Sequence, residues 1–172
     1  MEQGLNLKLD WITEGMNFLW PEAYLFLGVL LMLLLGVMRI KNNSVIIQAL
    51  IAIAIFSASL ICQISQGILP SDAKLFGGML RYDAFGIYLK ILFDVGGILT
   101  VLLSISEKSI QSKLTEYYAL IITIVFGAHM LVMSENFVMV ALSLELISIP
   151  SYILAAFSFT KKSMEGSLKY FL

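Results

Sequence analysis

The chain of 172 residues holds a single cysteine, Cys62, and a single histidine, His129. One of each leaves no disulfide framework, no CxxC pair and no ligand set for zinc, haem or an iron–sulfur cluster. No cofactor is therefore expected in this chain, and any redox group it serves would lie in another one; a quinone-reducing enzyme acting alone is disfavoured for the same reason. Charge is scarce as well. Asp, Glu, Lys and Arg make up 13% of the residues, with a formal net charge of −1, so the clustered Lys and Arg that phosphate binding needs are missing and nucleic acid is excluded as a partner. The first twenty residues carry Glu2, Lys8, Asp10 and Glu14 in place of a basic start, an apolar run and a small-residue cleavage site, so no signal peptide is read and the first spanning helix would direct insertion. Internal repeats, low-complexity segments and linkers are also missing, which makes residues 1–172 one membrane domain.

Apolar side chains dominate what is there. Hydrophobic residues account for 59% of the chain and the mean hydropathy is +0.91, against roughly 45 to 50% apolar in soluble domains. The expected class is an all-α integral membrane protein in contact with the lipid bilayer. Runs close to the ~20 residues that span the hydrocarbon core occupy 21–38, 44–63, 84–104, 117–133 and 137–157. A sixth element begins near residue 165 and reaches only Leu172, which reads as the amino-terminal part of a longer polypeptide. Lys and Arg follow the odd-numbered runs at Arg39, Lys41, Lys108, Lys113, Lys161 and Lys162, and fall on the other side at Lys8, Lys74 and Arg81, six against three. By the positive-inside bias the amino terminus is outside and the basic loops are cytoplasmic, or in the equivalent compartment. Trp11, Trp20, Tyr24, Tyr82, Tyr88, Tyr117 and Tyr118 stand mostly near the ends of spans and read as interfacial anchors. Pro21 suits the first turn of a helix, where its missing N–H would be unpaired anyway.

Against this background the ionisable groups inside the spans are the functional candidates. Glu145 is the deepest, near the middle of an apolar stretch with no other charge. A carboxylate at a helix centre costs roughly 2.5 to 3.5 kcal/mol on insertion scales, so it needs a protein interior, a hydrated path or a partner. Pro150 cannot donate to the carbonyl of Leu146, which frees an acceptor one residue past the acid and bends the helix. Ser143, Ser148 and Ser151 add hydroxyls able to serve these groups or hold water. The static alternative is a protonated Glu145 capping a polar neighbour, a task glutamine would perform at less cost. Lys90 and Asp94 share a face of the third run at a spacing of four. Lys90 enters only about 9 Å at 1.5 Å per residue and reads chiefly as a snorkelling anchor neutralised by the deeper Asp94. Gly96 and Gly97, just beyond, permit close helix approach. His129 is a proton-relay candidate, with an ordinary interhelical hydrogen bond as the simpler reading. Lys169, about four residues into the sixth element, reads alone as a snorkelling lysine and with Glu145 as a charge partner or proton donor.

The segment from Glu116, EYYALIITIVFGAHMLVMSENFVMVALSLELISIPSYILAAF, followed by KKSMEGSLKYFL, resembles the fourth helix, fifth helix and start of the sixth in the subunit N family of bacterial NADH-quinone oxidoreductase, respiratory complex I. The plastid counterpart is subunit 2 of the NAD(P)H-quinone oxidoreductase. Trp20-Pro21-Glu22 is similar to the family's first-helix entry, and the run from Tyr82 through Asp83 to Lys90 is similar to its third-helix entry. SLELISIPSY with EGSLKYFL favours subunit N over the related antiporter-like subunits L and M.

That resemblance implies an antiporter-like fold of about fourteen helices in two inverted repeats, each with a discontinuous helix. It implies that Glu145 is the fifth-helix glutamate which modulates a lysine on a seventh helix, and that Lys169 is the lysine of the sixth-helix KYF motif. It implies proton pumping coupled to electron transfer in partner subunits that hold NADH, FMN, iron–sulfur clusters and quinone, alongside other membrane subunits of the complex. The membrane would be the bacterial inner membrane, with the thylakoid or mitochondrial inner membrane as alternatives. The seventh helix is not among these residues, so this stretch alone is not expected to translocate protons. Two other readings share the features: a cation/proton antiporter or membrane-bound hydrogenase subunit, which uses the same acid and lysine layout, and a structural membrane scaffold in which Glu145 only fixes packing.

Overall fold

The computed structural model describes residues 15–16, 18–38, 45–66, 73–107, 110, 113–158 and 160–171. Five helices of 18 to 21 residues, each long and apolar enough to cross a membrane, cover the five apolar runs. They are α1 (Trp20–Val37), α2 (Val45–Ser65), α3 (Ala84–Ser104), α4 (Leu114–Met133) and α5 (Phe137–Ala155), followed by the shorter α6 (Lys161–Phe171). Between α2 and α3 stand two short strands, β1 (Ala73–Leu75) and β2 (Leu80–Tyr82), paired antiparallel with Lys74 opposite Arg81.

Local chemistry sets several boundaries. Asp83 caps α3 by accepting from the Gly86 N–H at 2.7 Å, and Asn136 caps α5 by accepting from the Val138 N–H at 3.0 Å; such caps contribute about 1 kcal/mol each. Pro21 stands in the first turn of α1. The hairpin turn needs a left-handed backbone at Phe76, Gly77 and Gly78, with φ of 49°, 70° and 83°, which glycine supplies without strain at two of the three positions.

In lipid, apolar surface alone does not drive one helix onto another, so small residues and close packing carry the association. Helix α4 is the hub and packs against α1, α2, α3 and α5. Ala49 and Ala52 of α2 are buried with Leu25 and Met32 of α1, Phe56 of α2, Val101 of α3, and Tyr118 and Ile122 of α4. Gly97 lies against the Phe56 ring, where an added Cβ would come within 2.7 Å, whereas Gly96 has open space beside it. Gly127 of α4 meets α5, where an added Cβ would sit 2.9 Å from Leu146 Cβ and 3.1 Å from the Leu146 carbonyl carbon.

A second small core lies under the hairpin, formed by Leu75, Leu80, Tyr82, Ile87 and Met133. The hairpin is tied to the α4–α5 turn by a bridge between Leu80 and Ser134, by the Glu135 N–H donating to Met79 O at 3.0 Å, and by a Lys74–Glu135 ion pair at 3.2 Å. Helix α6 folds back on α5: Ser167 Oγ donates to Tyr152 O at 2.8 Å, and the Tyr152 ring meets Tyr170 and Phe171.

Candidate functional site

Two polar features interrupt the apolar bundle. The first is Glu145, nine residues into α5 counting Phe137 as the first and about 12 Å along it at 1.5 Å per residue. Only Ser143 and Pro150 are buried on this helix, and Glu145 is exposed on its uncovered side. The carboxylate lines an open groove of roughly 480 Å³ between α4 and α5, otherwise walled by groups such as Thr123, Phe126, Met130, Leu146 and Ile149. Two of the three serines expected to serve it bond within their own helix instead. Ser143 Oγ donates to Met139 O at 2.7 Å and Ser151 Oγ to Ser148 O at 2.7 Å. The reason is geometric, since a helical serine reaches a carbonyl three or four residues back without strain. Lys169 is exposed on α6, eight residues beyond its start because that helix begins at Lys161 rather than near residue 165. Among the described residues no ion pair within 4.0 Å involves Glu145 or Lys169.

The second feature is a sealed network where α1, α2, α3 and α4 meet. Lys90 Nζ donates to Glu22 Oε1 at 2.8 Å, and both side chains are almost fully buried. Asp94, 0% exposed, accepts from Ser59 Oγ at 2.8 Å and from Gln63 Nε2 at 2.7 Å, both at Oδ2. His129 stands between the two acids, its Nδ1 3.5 Å from Glu22 Oε1 and its Nε2 3.4 Å from Asp94 Oδ1. That Nε2 also lies 3.2 Å from the backbone carbonyl of Lys90, which can only accept, so Nε2 carries a hydrogen. Met133 Sδ is 3.4 Å from the ammonium of Lys90, and the Tyr82 ring lies beneath it at 5.2 Å. Losing one partner of such a buried pair costs about 3 to 5 kcal/mol, because the other charge is left uncompensated.

This arrangement corrects two expectations. Lys90 is not a snorkelling anchor: its ammonium turns inward and is 1% exposed, because a carboxylate on α1 is nearer than water. Tyr82 is not an interfacial belt residue either. It is 2% exposed, packs tilted against the Phe18 ring at 4.7 Å and donates to Gln66 Oε1 at 3.1 Å. Burial, reinforced by the Glu22 carboxylate, pushes the Tyr82 phenol up to about 12. Lys90 and Asp94 share a face as expected, yet each is bonded to a different helix, and no ion pair joins them among the described residues. His129 does make the interhelical contacts foreseen for it, with an acid on either side.

Three members of the network carry no functional motif in the sequence: Glu22 belongs to the helix entry Trp20-Pro21-Glu22, and Ser59 and Gln63 stand within the apolar run 44–63. The available signal was their spacing of four, which puts hydroxyl and amide on one face of α2. Among the described residues no group of three or more His, Cys, Asp or Glu side chains forms a metal-binding set.

Comparison with known proteins places the fold. No protein-family model matches the chain. It is 37% identical over 160 residues to NADH-quinone oxidoreductase subunit N of Anaeromyxobacter sp., an alignment covering 88% of this chain and 30% of the relative. The chain is homologous to subunit N. NAD(P)H-quinone oxidoreductase subunit 2 of Gloeobacter violaceus is 30% identical over 170 residues, covering 96% of this chain and 32% of that protein. The chain thus spans about a third of the length of these relatives, and the matched third is their amino-terminal part. Among solved structures, a chain of the respiratory complex I from Thermus thermophilus with bound aureothin superposes with a TM-score of 0.70 at 22% identity, over 88% of this chain and 32% of that one. At that identity the match establishes the fold, a multi-pass bundle of the antiporter-like membrane type.

Proposed function

We propose that these residues belong to a proton-translocating membrane subunit of an NADH-quinone oxidoreductase, coupling electron transfer in partner chains to proton movement across the bacterial inner membrane. The observation that carries this is Glu145, a carboxylate about 12 Å into a spanning helix, facing an open groove on the least covered helix of the bundle. A charge so placed requires a partner or water from outside these five helices. Its chemistry is a charge switch. An opposing cation in the groove favours the ionised carboxylate, the carboxylate in turn favours the protonated cation, and withdrawal of either changes the proton affinity of the other. A basic group on a neighbouring helix, with Lys169 assisting from α6, would supply that cation.

NADH, FMN, iron–sulfur clusters and quinone then belong to other subunits, and this chain contributes proton handling alone. The basic loops after α1, α3 and α5 face the cytoplasm, and the hairpin β1–β2 lies on the outer side with the amino terminus. The test is Glu145→Gln in the intact complex. Proton pumping should fall at least several-fold while NADH oxidation by an artificial acceptor stays near normal. Unchanged pumping overturns the reading, and loss of assembly with full activity in the surviving complex assigns Glu145 to packing.

A further inference from the structure

The charge count of the sealed network does not close without one more proton. Lys90 and Asp94 contribute +1 and −1, and Asp94 is held as an acceptor at Oδ2 by two donors, Ser59 Oγ and Gln63 Nε2, with His129 Nε2 standing 3.4 Å from its Oδ1. What remains is Glu22 facing His129 Nδ1 at 3.5 Å. An ionised Glu22 opposite a bare Nδ1 would aim two lone pairs at each other and leave a net negative charge among residues that are 0 to 3% exposed, at a cost of several kcal/mol. Both mismatches vanish when a single proton occupies the contact, on the ring as imidazolium or on the carboxyl as a neutral acid.

We infer that Glu22 and His129 form a proton-holding site, distinct from Glu145, in which one transferable proton is shared between Glu22 and His129 Nδ1. The transfer is balanced. In one form the Nδ1–H bond is intact, His129 is +1 and Glu22 −1; in the other that bond is broken, a carboxyl O–H has formed, and both groups are neutral. The network totals zero in either form, so the proton moves without exposing a net charge to the bilayer. Lys90 positions the carboxylate by donating at 2.8 Å to Oε1, the oxygen that faces His129 Nδ1, while Oε2 is buried with no hydrogen-bond partner among the described residues. The backbone carbonyl of Lys90 positions the ring by accepting from Nε2 at 3.2 Å, with Asp94 Oδ1 3.4 Å from the same nitrogen. The groups facing the pair are accounted for by element: Glu22 from α1; Ser59, Cys62 and Gln63 from α2; Tyr82 from β2; Lys90 and Asp94 from α3; Met133 beside His129 on α4. None beyond Lys90 and Asp94 alters the count, because Tyr82 keeps its proton up to about 12.

The location suits a store rather than an ornament of packing. Glu22 is two residues past the start of α1 and His129 four residues before the end of α4, which places the shared proton about 3 to 6 Å inside the hairpin-capped end of the helices. Asp94 lies ten residues into α3, about 15 Å from that end. The ring therefore spans the step between an outer acid and a deeper one.

The test uses the full-length protein in its complex, with nitrogen-15 in histidine and infrared detection of carboxyl groups, at neutral pH. His129→Gln isolates the histidine signal and Glu22→Gln isolates the carboxyl band. If the histidine variant fails to assemble, Glu22→Gln serves for both, because it moves only the resonance of the ring that faces it. The expected wild-type result is either a protonated Nδ1 on His129 or a protonated carboxyl band that Glu22→Gln removes, together with a neutral Nε2–H ring in that variant. A wild-type protein with a bare Nδ1 and no such carboxyl band overturns the proposal. These readouts do not depend on pumping, so a normal pumping rate in Glu145→Gln leaves this inference standing and a failed count here leaves that reading untouched.

Discussion

Replacing Lys90 with methionine removes a cation from a site where the neighbouring carboxylate is 3% exposed and water has no access. The side chains are similar in length, so packing beside Met133 is kept and the loss is electrostatic. An uncompensated buried carboxylate costs about 3 to 5 kcal/mol. Glu22→Gln is milder than the loss of a partner outright, since the amide oxygen still accepts from Lys90 Nζ in the 2.8 Å position of Glu22 Oε1 and Asp94 still offsets the ammonium charge within the network; weakening a charge-assisted hydrogen bond to a neutral one costs about 1 to 2 kcal/mol. The double variant removes both charges together. It should therefore be nearer the milder single variant than the sum, with a coupling energy of about 2 to 3 kcal/mol in the direction of rescue. The assay is reversible unfolding of the full-length subunit in mixed micelles, run as a double-mutant cycle. Costs that add within about 0.5 kcal/mol would mean that the two groups do not interact across the α1–α3 interface.

Further expectations follow from individual contacts. Gly127→Val places a side chain against Leu146 Cβ and its carbonyl carbon; it should separate α4 from α5, cost about 1 to 3 kcal/mol in the same unfolding assay, and reduce pumping by moving Glu145. Lys74→Met breaks an ion pair whose lysine is 69% exposed, so its stability should change by less than about 1 kcal/mol. Tyr82 titrates from 10.0 in the unfolded chain to about 12 in the fold. The stabilisation due to its neutral form is complete below pH 10 and is lost as pH rises towards 12; tyrosinate absorbance compared with Tyr82→Phe should show one late-titrating phenol, and titration at the ordinary value would contradict the burial.

The five spans were legible because membrane helices must satisfy their backbone internally and carry long apolar runs to do so. That signal is local and needs no knowledge of neighbours. Helix α4 begins at Leu114 rather than Tyr117, as its first turn contains Thr115 and Glu116, which lower the apolar signal without opposing the helix. The hairpin of residues 73–82 was not foreseen. Its strands are three residues each, too short to show an alternating pattern. The network was half legible: Lys90, Asp94 and His129 stood out as ionisable groups in apolar runs, and the spacing of Lys90 and Asp94 fixed a shared face. Which partner each would find is a property of helix packing, so Glu22, 68 positions from Lys90, was invisible as its counter-ion. Burial reversed the reading of Lys90, since snorkelling assumes that water is the nearest polar environment.

The measurement closest to the central claim is the number of protons moved per NADH oxidised by the intact complex in sealed vesicles, comparing wild type, Glu145→Gln and Lys74→Met as a surface control. Glu145→Gln should lower the ratio at matched NADH oxidation by an artificial acceptor, with the control at the wild-type value. An unchanged ratio in assembled Glu145→Gln complex would contradict the assignment of α5 to proton handling.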